Sequence, residues 1–187
     1  MSKLIFLDTG VLGKLIHPDV EQGKFRLAQN PESEVKESLR EAIECSEWLD
    51  TLIDEKKSSV GISEIVKYEA RREHIRRISD RKSGLKEKEK ARKAIEKLDE
   101  LITKQGVVYF PVTSKEGNVM QEAAELWAFA RNNSYVAHDA DLIIAAQAVI
   151  IKRIGIDVII ATTDTEDFNR LLQQHHIEAR RWRDIKT

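Results

Sequence analysis

The stretch that most constrains this chain is Leu4-Ile5-Phe6-Leu7, followed at once by Asp8, Thr9 and Gly10. Four apolar residues in an unbroken run, ended by a turn signal, suit a strand buried on both faces of a parallel sheet. Such a sheet needs helices on both sides. An acid at the carboxyl end of such a strand lies where open α/β sheets bind their ligands. Asp is also a favoured N-cap of a following helix. The stretch alone leaves both readings of Asp8 open.

The rest of the 187 residues supplies the alternation that a parallel sheet requires. A short helical start at Thr9–Ile16 is broken by His17-Pro18. Residues 19–34 are polar and read as a loop, with Phe25 and Leu27 as anchors. A helix over about Ser33–Asp54 carries Leu39, Ile43, Leu49, Leu52 and Ile53 at helical spacing, bordered by Trp48. Lys56–Ser59 turn the chain into a second strand, Ser58–Ile62. Ser63 then caps a helix. That helix and the one over about Lys86–Lys104 form a hairpin about Ser83-Gly84. Pairs such as Glu69 with Arg72 and Glu73 with Arg77 support it. A third strand runs from Val107 to Val112. Two helices follow, over 116–131 and from His138 to Lys152. A fourth strand spans Asp157–Thr162, then comes a helix from Glu166, and Ile177–Ala179 is a candidate edge strand. The expected fold is a three-layer α/β/α domain over 1–187, with a parallel sheet of four or five strands and a helical hairpin elaboration at about 63–104.

Charge is unevenly spread, although the net value is only −1. Residues 1–66 are acidic, with 8 Lys/Arg against 13 Asp/Glu. Residues 67–104 are basic, with 14 against 8. A basic helical surface beside acidic residues can bring a polyanion to a metal site. It can equally be a solvated face of mixed sign. One cysteine, Cys45, precludes an internal disulfide and suits a reducing compartment. No apolar run reaches the ~20 residues that span a bilayer. The chain enters its first strand directly, so a cytoplasmic protein without a signal peptide is expected.

Four acids occupy equivalent topological places: Asp8 after the first strand, Glu69 in the helix after the second, Asp141 at the start of the apolar helix, and Asp164 after the fourth strand. In a parallel sheet the carboxyl ends share one edge, so these acids can converge. Converged carboxylates repel and need neutralising. Hard divalent cations with oxygen ligands do this, Mg²⁺ or Mn²⁺ first. Ions so held can promote phosphodiester hydrolysis. Neighbouring acids have other roles. Glu64 lies five residues before Glu69, roughly 140° around a helix, and faces elsewhere. Asp139 is an N-cap or a peripheral ligand, and Asp167 reads as a solvated or capping residue. Thr9 and Thr163 could hydrogen-bond the carboxylates.

Four segments together resemble the PIN-domain family and, within it, the VapC-type toxins: LIFLDTGVL at the start, ISEIVKYEAR at 62–71, DADLIIAAQA at 139–148 and ATTDTEDF at 161–168. Their order and spacing cover nearly the whole chain. The resemblance implies that Asp8, Glu69 (six residues after Ser63), Asp141 and Asp164 are catalytic, metal-binding acids. It implies a ribonuclease that cuts RNA with Mg²⁺ or Mn²⁺, and a small antitoxin as partner. The chain departs from a short VapC pattern in the length of segment 19–34 and of the basic hairpin. The hairpin could grip substrate, form a homodimer or hold a partner.

Other chemistries lack their motifs. There is no P-loop and no GxGxxG. The histidines lack zinc-ligand spacing, and no serine-nucleophile elbow is present. The alternative to a nuclease is a PIN-like module that binds RNA or protein and cuts nothing.

Overall fold

A computed structural model describes residues 3–54, 58–113 and 117–186. In chain order the elements are β1 (Lys3–Leu7), α1 (Thr9–Leu15), α2 (Val20–Gln29), α3 (Glu37–Asp54), β2 (Ser58–Ser63), α4 (Glu64–Ser79) and α5 (Leu85–Ile102). Then follow β3 (Val107–Phe110), α6 (Val119–Asn132), α7 (Asp139–Arg153), β4 (Asp157–Thr162), α8 (Thr165–Leu172) and β5 (Glu178–Arg181). The expected turn at Lys56–Ser59 lies partly outside the described residues, and Ser58 and Ser59 already belong to β2.

The five strands form one sheet in the order β3-β2-β1-β4-β5, with every pairing parallel. The fifth strand is thus present, at an edge. The first strand is central, and Leu4 to Leu7 are all buried, as an apolar strand covered on both faces must be. The chain winds outward through β2 and β3, then crosses back to β4 on the other side of β1. A topological switch point therefore lies between β1 and β4, where open α/β sheets place their sites. Leu7 is level with Ile62 on β2 and Ala161 on β4, so the three carboxyl ends finish together.

Helices complete the three layers. In α7 every residue from Leu142 to Ile151 is buried. A helix apolar on all sides but for Gln147, whose amide N–H donates to the Pro111 carbonyl at 3.0 Å, suits such a central position. Each fully buried Ile or Leu side chain here contributes roughly 1.5–3 kcal/mol relative to exposure. The α4–α5 hairpin is held by Ala91, Ala94 and Leu98 from α5 and by the Arg71–Asp99 ion pair at 2.9 Å. No helix among the described residues is long and apolar enough to cross a membrane.

Segment 19–34 is not a loop. It contains α2, whose buried face is only Val20 and Gly23. A Cβ on Gly23 would lie 2.7 Å from Ile43 Cδ1, so this glycine permits close packing of α2 on α3 rather than breaking the helix. Leu27 packs there as expected, whereas Phe25 is 63% exposed and anchors nothing.

Candidate active site at the carboxyl edge of the sheet

Asp8 stands at the tip of the central strand, its backbone N–H donating to Ala161 O at 3.0 Å. Its two carboxylate oxygens do different things. Oδ1 accepts from the Thr9 backbone N–H at 2.5 Å and caps α1. Oδ2 accepts from the Thr162 hydroxyl at 2.8 Å. Both readings of Asp8 left open by the sequence are therefore realised at once: it is a cap and an acid held at the switch point. Thr162 is fully buried and also accepts the Asp164 backbone N–H at 3.0 Å. Its single proton goes to the carboxylate, the shorter and charge-assisted bond.

Glu69, in the second turn of α4, accepts the Thr9 hydroxyl at 2.7 Å. The Glu69–Arg72 pair expected from spacing does not form. Arg72 lies over the Tyr68 ring, while Glu73 binds both Arg76 and Arg77. Ser63 caps α4 through the Ile65 N–H at 3.3 Å. Glu64 points away from Glu69, its carboxylate accepting the Val112 N–H at 2.9 Å.

Asp141 comes from the first turn of α7. Burial pushes its carboxyl up to about 6, and the charges of Asp8, Glu69 and Asp167 add to the rise, while His138 opposes it. Asp8 is raised as well. Burial outweighs its hydrogen bonds from Thr162 and from the Thr9 and Gly10 backbone, and the Glu69 charge pushes the same way. Mutual repulsion of this kind marks carboxylates brought together without a counter-charge. Among the described residues no Lys, Arg or His side chain forms an ion pair with Asp8, Glu69 or Asp141.

The remaining acids lie at the rim. Asp164 is exposed and caps α8 through the Glu166 N–H at 3.2 Å. Asp167, half-buried one turn on, is the acid of this segment whose charge Asp141 feels. Asp139 is exposed in the first turn of α7. Thr162 escaped the sequence reading, and Asp167 was weighed there only as a solvated or capping residue. The hydroxyl on Asp8 comes from Thr162, not Thr163. Thr163 instead closes over Gly10, where a Cβ would meet its Oγ1 at 2.4 Å. For Asp167 a signal existed: Asp164-x-x-Asp167 has the N-cap to N3 spacing of a capping motif, which assigns the cap to Asp164.

The donors at the centre are all oxygen, and their charges are unneutralised, which fits a hard divalent cation in kind. Among the described residues no three His, Cys, Asp or Glu side chains stand within ligand reach of one point.

No protein-family model matches the chain, and no curated protein matches its sequence. Solved structures do match its fold. A chain from the crystal structure of VapBC2 from Rickettsia felis, bound to a DNA fragment from their promoter, superposes with a TM-score of 0.57 at 16% identity, over 96% of this chain and 98% of that one. A chain of VapBC-1 from nontypeable Haemophilus influenzae gives 0.55 at 12% identity, over 97% and 99%. A chain of FitAcB from Neisseria gonorrhoeae gives 0.56 at 19% identity, over 97% and 99%. At these identities the likeness is one of fold. The chain is a three-layer α/β/α protein, and its likeness in fold to chains of those complexes extends over 96–97% of its length.

Proposed function

We propose that this chain is a divalent-metal-dependent endoribonuclease, and that it is the toxin of a toxin–antitoxin pair held by a small antitoxin. The observation that carries the reading is that Asp8, Glu69 and Asp141, from three separate segments, feel one another's charge while none pairs with a cation among the described residues. Mg²⁺ or Mn²⁺ drawn to these acids, which would have to close on it from positions where no three share one point among the described residues, would supply the positive charge that polarises a scissile phosphodiester. The chain's own residues prepare that position. Thr162 holds Asp8 by its Oδ2, and Thr9 holds Glu69 by its Oε2. The basic hairpin beside them offers a path for the polyanionic strand. The VapBC likeness supports the antitoxin partner.

The test is one assay of the purified protein with single-stranded RNA, structured RNA and DNA, each with Mg²⁺, Mn²⁺ or EDTA. Wild type is expected to cut RNA only when a metal is present, and Asp8→Asn to lose at least a hundredfold, the scale of a general acid–base or metal-positioning group. Equal behaviour of the two proteins in every lane refutes the proposal. One observation favours a second reading, a PIN-like module that binds RNA or protein without cutting: the acids are coupled, yet no three meet at one point among the described residues. Metal-independent RNA binding with no cleavage in any lane would select it.

A further inference from the structure

We infer that Arg181, at the end of β5, and the cavity it lines form a subsite for one backbone phosphate of the substrate strand, beside the phosphate that is cut. The inference rests on the ribonuclease reading and gives the direction in which the strand crosses the sheet edge.

The sheet fixes where Arg181 stands. Thr162 and Arg181 are the last paired residues of β4 and β5. The Thr162 hydroxyl donates to Asp8 Oδ2 at 2.8 Å. Asp8, Thr162 and Arg181 therefore follow one another across three neighbouring strands at the carboxyl edge. Two strand spacings, ~10 Å, separate the backbones of Asp8 and Arg181. The next residue, Trp182, is buried and packs on Trp48 with ring centroids 5.9 Å apart, which anchors the chain at this point. A cavity of about 230 Å³ opens here, and its wall includes Lys14, Glu41, Thr162, Thr163, Arg181 and Arg183.

The charges of this wall select an anion. Three cations, Lys14, Arg181 and Arg183, stand against one carboxylate, Glu41. Glu41 is shared, with Oε2 paired to Lys14 and Oε1 to Arg183 at 3.4 Å. Arg183 also binds Glu44 at 2.7 Å and lies over the Trp182 ring. Arg180, outside the cavity, is held by Glu178 at 2.8 Å. Among the described residues Arg181 has no such partner: its side chain makes neither an ion pair nor a hydrogen bond. Its charge is the one left unmatched, and its planar fork of donors fits a phosphate. The Thr163 hydroxyl on the same wall is a further donor.

Placement says which anion. Unneutralised acids at the switch point repel a polyanion, so a strand crossing them is best held by cations on both sides. The basic hairpin begins with α4, which leaves β2 on one side of β1 and carries Glu69. Arg181 stands on β5, on the other side. A strand running along the edge from the hairpin to β5 meets a cation before the acids and another after them.

The test measures binding of a labelled single-stranded RNA to the full chain in EDTA, by fluorescence anisotropy over a series of KCl concentrations. Arg181→Ala is expected to weaken binding about tenfold, the scale of one hydrogen bond between charged groups. It should also flatten the slope of log K against log salt by ~0.7, the value for one phosphate contact on a single strand. Arg181→Lys should keep most of the slope while losing part of the affinity. Arg180→Ala removes the same charge one residue away and should keep the wild-type slope. In cleavage assays Arg181→Ala should raise KM about tenfold and leave kcat within about twofold, as loss of uniform binding does. A methylphosphonate in place of one flanking phosphate should cost wild type the same factor and cost Arg181→Ala nothing more. An unchanged slope in Arg181→Ala, an equal loss in Arg180→Ala, or additive losses at every flanking phosphate refutes the subsite even though RNA is cut. If the slope falls in Arg181→Ala alone while no RNA is cut in any metal, the subsite stands and the nuclease reading falls.

Discussion

Replacing Asp141 by Asn should make the metal-free protein more stable at neutral pH while abolishing its activity. Asp141 is pushed up to about 6 by burial and by the charges of Asp8, Glu69 and Asp167, against an ordinary aspartate near ~3.9. A difference of about 2 in pKa corresponds to ~3 kcal/mol between the two protonation states. The side chain is only partly buried, so solvent screening reduces this to ~1–1.5 kcal/mol. Below pH ~4 the carboxyl is protonated in both folded and unfolded chains, and the cost is absent. As pH rises from ~4 through about 6 the unfolded chain ionises first, and stability falls until the folded group ionises too. Asn cannot ionise and lacks this loss. For a chain of this size the gain is ~3–5 °C in Tm at pH 7.5. It should shrink to nothing by pH ~4. Thermal unfolding followed by circular dichroism in EDTA, from pH 4 to 8, measures it. Mg²⁺ or Mn²⁺ should then raise the Tm of wild type more than that of the variant, because only wild type keeps the full set of carboxylates. A variant no more stable than wild type at pH 7.5, or a gain that persists unchanged at pH 4, refutes the account of Asp141 as an unneutralised acid.

Two further substitutions probe the support of the site. Thr162→Val removes the hydroxyl that donates to Asp8 and accepts from Asp164 N–H; it should cost ~1.5–3 kcal/mol at pH 7. The same variant should move the acid limb of the pH–activity profile upward, since Thr162 holds the Asp8 pKa down; an unmoved limb rejects that role. Gly10→Ala places a Cβ against Thr163 Oγ1 and should destabilise by ~1–3 kcal/mol. Adding Thr163→Ala should restore most of that loss in urea unfolding, and failure of the double variant to recover shows that the close approach is not the cause.

How much of this was legible in the sequence depended on whether a residue carries one role or two. The runs in β1 and β4 are legible because a strand covered on both faces has no polar positions to confuse the pattern. The helix α2 is not, because its buried side consists of Val20 and a glycine, and a glycine used for close approach looks the same in sequence as one used as a breaker. Asp8 was legible as an acid at the strand tip, but cap and edge acid looked like rivals when one carboxylate has an oxygen for each. Thr162 and Thr163 are adjacent hydroxyls at the end of a strand. Successive side chains there point to opposite sides, so a one-residue uncertainty in where β4 enters its turn exchanges them. The same holds for Asp164 and Asp167. The N-cap Asp164 gives Oδ1 to the Glu166 N–H of its own helix, as Asp8 gives one oxygen to α1, and Asp167 sits at N3 in the same first turn. The acid directly after the strand caps the helix with one oxygen, and the acid three residues later is the one of this segment whose charge raises Asp141.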